Sequence, residues 1–247
     1  MANVAKGPSL WQGGKMRYFF NGKIKQEDDF YTISLPFNVW EVSRYRDEVK
    51  AELFLDNKMI MCNLVPEDVN DQKGNYKIQL TKEDVAGVNT DITHKLLMHV
   101  GATLIRVNQN SPYSVDNPIR KIDSVDIIIQ PVDGTCGQTC VAMLAGVTIP
   151  EVCTVMGCRE WQATMGMVIS GLNYYGINHS DVIVFTEGEE VTLPKCAVLM
   201  EKMGRFCHYL VYFDGKYYDP NDGVMTDFDK SKLLGYLEIK LDDESEE

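Results

Sequence analysis

The sequence predicts an α+β protein in which helices precede an antiparallel sheet in the second half, and a smaller α+β module forms the first half. Three observations support this. Residues 137–146, 150–157 and 163–175 carry apolar residues at helical spacing. Strand-like apolar runs then follow from residue 181 onward. With 247 residues and 45% apolar content, the chain can bury a substantial core.

Residues 1–120 are predicted to begin with a flexible arm and to continue as an α+β module that selects substrate or regulates the second half. Apolar runs flank Asp56-Asn57, a hairpin signal, and "GNYKIQL" alternates as a half-buried strand does. In "TDITHKLLMHVG", helical spacing between a capping Asp91 and a stopping Gly101 predicts a helix. No chemical motif occurs in this half.

A domain boundary is predicted near residue 120, because "NQNSPYSVDNPIRK" at 108–121 is rich in turn-forming residues. The charge balance also changes there. Residues 1–121 hold 16 Lys or Arg against 15 Asp or Glu, whereas residues 122–247 hold 8 against 21. The second half, predicted as a domain over 121–247 with an acidic tail, therefore carries the acidity.

The second half has a clear predicted order of elements. The strand "VDIIIQ" at 125–130 leads into a loop containing Cys136, and the three helices follow. The remaining predictions are the strands "DVIVF", "CAVLM", "CHYLVYF" and "KYYDP", a short helix near "DFDKSKLLG" and a last strand "YLEIKL".

Composition excludes several classes of protein. No apolar run approaches the roughly 18 residues of a membrane helix, and the N-terminus lacks the apolar core of a secretion signal, so we expect a cytoplasmic protein without a membrane partner. A net charge of -12 without a basic cluster argues against nucleic acid. A basic protein or peptide substrate suits this charge, although solubility alone also explains it. Seven cysteines, an odd number, favour reduced thiols.

Cys136 lies in "IIIQPVDGTCGQTCVAMLAG", residues 127–146, where a loop turns into an apolar helix. A thiol attacks as its thiolate, and the positive end of a helix favours a negative sulfur. Backbone N–H groups at the same end point toward an oxyanion formed on attack, and the side-chain amide of Gln130 could supply a second donor. One short segment thus provides a candidate nucleophile and a candidate oxyanion hole.

A cysteine nucleophile needs a base, and His208 is the best placed of the four histidines. It belongs to "RFCHYLVYFDGKYYDP", where an apolar strand would hold the ring while one face stays open to a cleft. A carboxylate or amide must then fix the tautomer of the ring. Asp219 fits this role because it ends the partner strand of a hairpin that turns at Asp214-Gly215, so cross-strand pairing brings it near His208.

These residues resemble the papain-like cysteine peptidases, above all the branch of bacteriocin-processing, double-glycine leader peptidases. Members carry a Gln, a "CG" before a small-residue helix, an "HY" or "HF" on a strand, and a "DP". The resemblance covers about residues 125–240 and implies a papain-like peptidase domain that needs no metal or organic cofactor. It implies these roles: Gln130 as the oxyanion-hole amide, Cys136 as the nucleophile, His208 as the general base and acid, and Asp219 as the orienting residue.

Several alternatives stay open at this stage. The interval from His208 to Asp219 is shorter than in that branch, so Asn221 and Asp222 are rival orienting residues. The same thioester chemistry also serves isopeptidases, transglutaminases and glutamine deamidases, and a non-catalytic module could bind a basic partner through its acidic face. A structural zinc site is a further alternative, although its cysteine spacings of four and five do not match paired knuckles; its ligands would come from Cys136, Cys140, Cys153, Cys158 and His208.

Overall fold

The computed structural model describes six stretches of the chain, and the predicted N-terminal arm and acidic tail lie largely outside them. The strands of these stretches form one sheet. Together with three helices, this gives a mixed α+β architecture, as predicted. The described residues are 16–39, 49–68, 74–100, 110–158, 163–203 and 206–241.

The described part of the first half contributes seven strands. The predicted hairpin is confirmed: β4 (Val49–Leu55) and β5 (Lys58–Pro66) pair across a turn at Asp56 and Asn57. The alternating run "GNYKIQL" contains β6, whose buried residues also alternate. The strands are β1 (Arg17–Lys23), β2 (Lys25–Glu27), β3 (Phe30–Ser34), β4 (Val49–Leu55), β5 (Lys58–Pro66), β6 (Tyr76–Leu80) and β7 (Thr93–Val100).

The predicted helix between Asp91 and Gly101 is wrong, because this segment forms strand β7. Its buried side chains also fit a period of two, since His94, Leu96 and Met98 alternate with more exposed neighbours. Tertiary pairing decides between the two readings: β7 hydrogen-bonds to β1 on one side and to β4 on the other. The sequence of a short apolar run does not show which strands it will pair with.

Strand β1 joins the two halves of the sheet. It pairs antiparallel with β7 and parallel with β8 (His179–Phe185), where Phe19 lies opposite Val184. The predicted boundary near residue 120 falls in an irregular connection whose only described bridge links Ser114 and Asn117. The boundary itself stays a prediction.

The three helices predicted in the second half are confirmed, and five of the predicted strands follow them, with β12 added at the sheet edge. The predicted helix near residues 227–235 is only a 3₁₀ turn over Lys230–Lys232, after which β13 begins. The elements are α1 (Cys136–Ala145), α2 (Ile149–Met156), α3 (Met165–Tyr174), β8 (His179–Phe185), β9 (Cys196–Met203), β10 (Phe206–Phe213), β11 (Lys216–Asp219), β12 (Gly223–Met225) and β13 (Leu233–Ile239). In the sheet, the strands lie in the order β12-β11-β10-β9-β13-β8-β1-β7-β4-β5-β6-β3-β2.

The strand predicted over residues 125–130 is not formed. This segment is irregular, and the one backbone–backbone hydrogen bond described for residues 125–133 joins the Gln130 amide to the carbonyl of Pro220 at 2.9 Å. Its isoleucines at 127 and 129 are exposed rather than buried. An apolar run becomes a strand only when a neighbouring strand completes a ladder, and no described strand lies beside this one.

The core lies on both faces of the sheet in the second half. The larger cluster joins α1–α3 to one face, through residues such as Val141, Leu172 and Val211. A smaller cluster around Leu199 and Leu210 covers the opposite face. Among the described residues no single helix has the length and apolar character to cross a bilayer; only α1 and α2 taken together, with a bend of 108°, meet those criteria.

Candidate active site

Cys136 is the first residue of α1, as the sequence predicted. The chain enters the helix through Gly134, whose φ of 91° favours glycine, and the hydroxyl of Thr135 donates to the carbonyl of Val132 at 2.9 Å. No acidic side chain lies in the first turn of α1. The positive end of the helix is therefore left to act on the sulfur of Cys136, which is only 7% exposed.

Gly137 allows α1 to lie close against β10. A Cβ at this position would lie 2.9 Å from Cβ of Ala163, 3.1 Å from the side chain of Val168 and 3.3 Å from the ring of Tyr209. Tyr209 is the neighbour of His208 on β10. The missing side chain at Gly137 thus permits the close packing that brings the start of the helix to the histidine strand.

His208 lies between Cys136 and Asp219. Its Nε2–H donates to Oδ1 of Asp219 at 2.9 Å, and both side chains are buried. A side-chain hydrogen bond also links His208 to Cys136. Because Nε2 faces the carboxylate, Nδ1 is the ring nitrogen left for the sulfur. The structure therefore brings together three of the four predicted site residues in the order thiol, imidazole, carboxylate.

The environment of His208 favours its charged form. Burial by itself lowers the pKa of His208, but hydrogen bonds and charge from Asp219 and Cys136 outweigh burial and raise this pKa to about 10. An imidazolium at neutral pH is the partner that a thiolate needs. The arrangement thus places a charged imidazolium beside the Cys136 sulfur before any substrate arrives.

Asp219 is held as a carboxylate by the turn that follows β11. Its Oδ1 accepts the backbone N–H of Asn221 at 2.7 Å and that of Asp222 at 3.3 Å, besides the bond from His208. Burial raises the pKa of Asp219, but these bonds and the charge of His208 lower it below its ordinary value. The two rival orienting residues, Asn221 and Asp222, therefore contribute backbone amides that hold Asp219 in place.

Gln130 lies beside the same turn. Its backbone N–H donates to Pro220, and its side-chain Nε2 donates to Oδ1 of Asn221. One N–H of the amide remains available beyond that bond, because a side-chain amide carries two. The structure thus ties Gln130 to the turn that carries Asp219, while its oxyanion-hole role stays a prediction.

Glu201 is a neighbour of the site that the sequence did not indicate. It lies directly opposite His208 in the pairing of β9 with β10. One carboxylate oxygen of Glu201, a ring nitrogen of His208 and an oxygen of Asp219 all lie within 4.8 Å of one another, and Nζ of Lys232 lies 3.7 Å from Glu201. No local sequence pattern marks this neighbour, because its closeness to His208 follows from the register of β9 with β10.

The remaining cysteines fit a packing role, and all seven are free thiols. Cys140 is fully buried one turn after Cys136, and burial, followed by the charges of Cys136 and Asp219, raises its pKa well above that of an ordinary thiol. Among the described residues, the one group with metal-ligand geometry contains Glu201, His208 and Asp219. The cysteines of the alternative zinc site do not belong to that group.

Comparison with known proteins adds no further guidance. No protein-family model matches this chain, and no curated protein matches it either. Its function is therefore inferred from the geometry and chemistry of the site.

Proposed function

We propose that this chain is a cysteine peptidase of papain-like type, with Cys136, His208 and Asp219 as a catalytic triad. The observation that carries the proposal is the position of His208, which bonds to Asp219 on one side and to Cys136 on the other. Residues far apart in sequence meet there, since 72 residues separate the thiol from the imidazole.

The papain-like assignment is supported by the order and placement of the elements. The nucleophile begins the first of three helices, and the histidine and the carboxylate come from adjacent antiparallel strands, β10 and β11, that follow. The α1 helix packs against β10, so the two parts of the site belong to different layers. A substrate bond could then lie between the helix end and the sheet.

The proposed reaction begins with attack of the Cys136 thiolate on a peptide carbonyl. Backbone N–H groups at the start of α1, with the amide of Gln130, would stabilise the oxyanion. His208 donates its proton to the leaving amine, which leaves a thioester on Cys136. The histidine then takes a proton from water, and the resulting attack frees the acid product and the thiol. Asp219 stabilises the imidazolium and fixes its tautomer throughout.

The test is a search for new peptide N-termini in cells that express either the wild-type chain or Cys136→Ala. The proposal expects N-termini that occur only with the wild-type chain. Cys62→Ala is the matched control, because Cys62 is buried on β5 outside the site and its loss should leave the cleavage products unchanged.

Mass spectrometry of the same samples separates peptidase activity from related thioester chemistry. An isopeptidase would release a side-chain-linked partner, a transglutaminase would create a cross-link, and a deamidase would add about one mass unit by converting an amide to an acid. Products of these kinds without new N-termini would refute peptide-bond cleavage, while the proposed catalytic triad would still stand. No Cys136-dependent product of any kind would refute catalysis.

A further inference from the structure

The segment that leads into Cys136 is a surface segment that has no strand partner among the described residues. Residues 126–133 form neither helix nor strand, and their only described backbone–backbone hydrogen bond is the one from Gln130 to Pro220. Backbone N–H and C=O groups left without partners at a surface are a template for an added strand. The part of the segment that can act as this template is residues 126–130, because Pro131 has no N–H and the carbonyl of Val132 accepts from Thr135.

Exposed apolar side chains are concentrated in the same segment. Ile127, Ile129 and Val132 have 37%, 54% and 47% of their surface exposed, whereas Ile128 between them packs toward the core. The two isoleucines therefore point outward at alternate positions, about 7 Å apart along an extended chain. Apolar side chains at this spacing match every second residue of an extended peptide.

Acidic side chains border these apolar residues. Asp126 and Asp133 are both exposed, at the two ends of the segment, and the second half of the chain holds 21 acidic residues against 8 basic ones. A peptide with Lys or Arg next to its apolar residues would be attracted here, and an acidic peptide would be repelled.

We propose that residues 126–130 bind the substrate as an added β-strand, and that the substrate is an extended polypeptide with apolar side chains at alternate positions and basic residues beside them. Ile127 and Ile129 contact the apolar side chains, and the unpaired backbone supplies the hydrogen bonds. This inference rests on the proposed peptidase function and adds the class of substrate and the residues that select it.

The experiment uses a peptide library made by cutting a proteome after acidic residues, which leaves Lys and Arg inside the peptides. The wild-type chain and Cys136→Ala are incubated with the library, and cleaved peptides are identified by mass spectrometry. We expect apolar residues at alternate positions on one side of the cleaved bond, with basic residues near them.

The most rapidly cleaved peptide is then synthesised and tested with the double variant Ile127→Ser/Ile129→Ser. We expect kcat/KM to fall about tenfold or more, because each lost apolar contact weakens transition-state binding. The control is Met59→Ser/Met61→Ser on β5, which lies seven strands from β10 in the sheet; these two methionines are at least as exposed as the two isoleucines. It should keep the wild-type kcat/KM.

Alkylation of Cys136 by iodoacetamide separates this inference from the proposed function. The rate should be the same in the double variant and the wild type, because the thiol and His208 are untouched. If the double variant keeps the wild-type kcat/KM, or if the cleaved peptides show no enrichment of apolar residues, substrate binding as a strand at this segment is refuted. The proposed peptidase function would still stand. Rapid alkylation of Cys136 without any cleaved peptide also refutes substrate binding at this segment. Slow alkylation of Cys136 without cleavage refutes both this inference and the proposed peptidase function.

Discussion

Strands β7 and β10 both hold buried histidines, but only the histidine of β10 lies between a buried carboxylate and a thiol. On β7, His94 donates from Nε2 to the carbonyl of Asn89 at 2.8 Å, and His99 donates from Nδ1 to the carbonyl of Met16 at 3.0 Å. On β10, His208 bonds instead to a buried carboxylate and a thiol. His94 also has a carboxylate near its Nδ1, Oδ1 of Asp56 at 3.4 Å, but the Asp56 side chain is 60% exposed, whereas that of Asp219 is 4% exposed. Water and salt screen an exposed carboxylate, whereas a buried one acts on its ring with little screening.

The cysteines near these strands differ in the same way. Cys62, on β5, contacts the carbonyl of Ala51 at 3.6 Å, and burial, with the charge of Asp84, raises its pKa to about 12. Cys136 has a helix N-terminus and an imidazole instead. Buried Cys and His residues therefore do not mark a site by themselves. The two regions differ in the partners of these residues. Cys136 and Asp219 both bond to His208, whereas Cys62 and His99 bond to backbone carbonyls.

The largest expected effect separates the two cysteines. Cys136→Ala should lower kcat/KM by about 10⁴-fold or more, since loss of a nucleophile leaves only binding and the oxyanion hole. Cys62→Ala should stay within about twofold, because packing changes of this size seldom reach a distant site. Steady-state kinetics on the same peptide measure both. Equal losses in the two variants would remove the functional difference between the regions.

A second effect compares the carboxylates next to the histidines. Asp219→Asn should lower kcat/KM about 100-fold or more, because the amide no longer stabilises the imidazolium. Asp56→Asn is the control: Oδ1 of Asp56 lies 3.4 Å from Nδ1 of His94, and its φ of 52° suits Asn. This control should keep full activity.

The pH dependence sharpens the same comparison. The imidazolium exists below the pKa of His208, so activity should persist with rising pH until that pKa, about 10, and be lost above it. Asp219→Asn removes a charge that raises the pKa of His208. The alkaline limb of the pH profile of kcat/KM should therefore move to lower pH. An alkaline limb that stays in place would show that Asp219 does not act through His208.

A smaller effect concerns the amide of Gln130. Gln130→Ala should lower kcat about tenfold, somewhat less than is typical for a single oxyanion donor, because the backbone N–H groups of α1 remain. KM should change little. Gln79→Ala, a half-buried glutamine on β6 of the other region, is the matched control. A change in KM alone would assign Gln130 to substrate binding.

The smallest effect compares two glutamates that pair across strands with buried histidines. Glu201 lies opposite His208 and Glu52 lies opposite His99. Glu201→Gln should change kcat/KM by less than about threefold, as expected for a partly exposed charge. In the pH profile of kcat/KM, the alkaline limb of Glu201→Gln should move to lower pH, by less than the limb of Asp219→Asn. Glu52→Gln should leave the alkaline limb at its wild-type pH. Equal shifts in both glutamate variants would indicate a general charge effect.

The local features of the site could be predicted from sequence because short-range chemistry determines them. The turn at Asp214-Gly215 placed Asp219 beside His208, and the change from loop to apolar helix placed Cys136 at a helix start. The three helices were predictable for the same reason, since their periodicity is local.

The features that failed depend on neighbours far along the chain. The segment of His94 and His99 is a strand because β1 and β4 lie on either side of it, and 125–130 is not a strand because no described partner lies beside it. Glu201 was missed because its closeness to His208 follows from the register of β9 with β10. Pairing of this kind leaves only weak marks in one sequence.

Alkylation of individual cysteines tests the central claim, contact between the thiol of Cys136 and the ring of His208. The wild-type chain and His208→Ala are treated with iodoacetamide near neutral pH, and labelling of all seven cysteines is followed by mass spectrometry. We predict that Cys136 reacts fastest in the wild-type chain and slows about 10-fold or more in His208→Ala, since only the thiolate reacts. Labelling of Cys136 at an unchanged rate in His208→Ala would contradict the account.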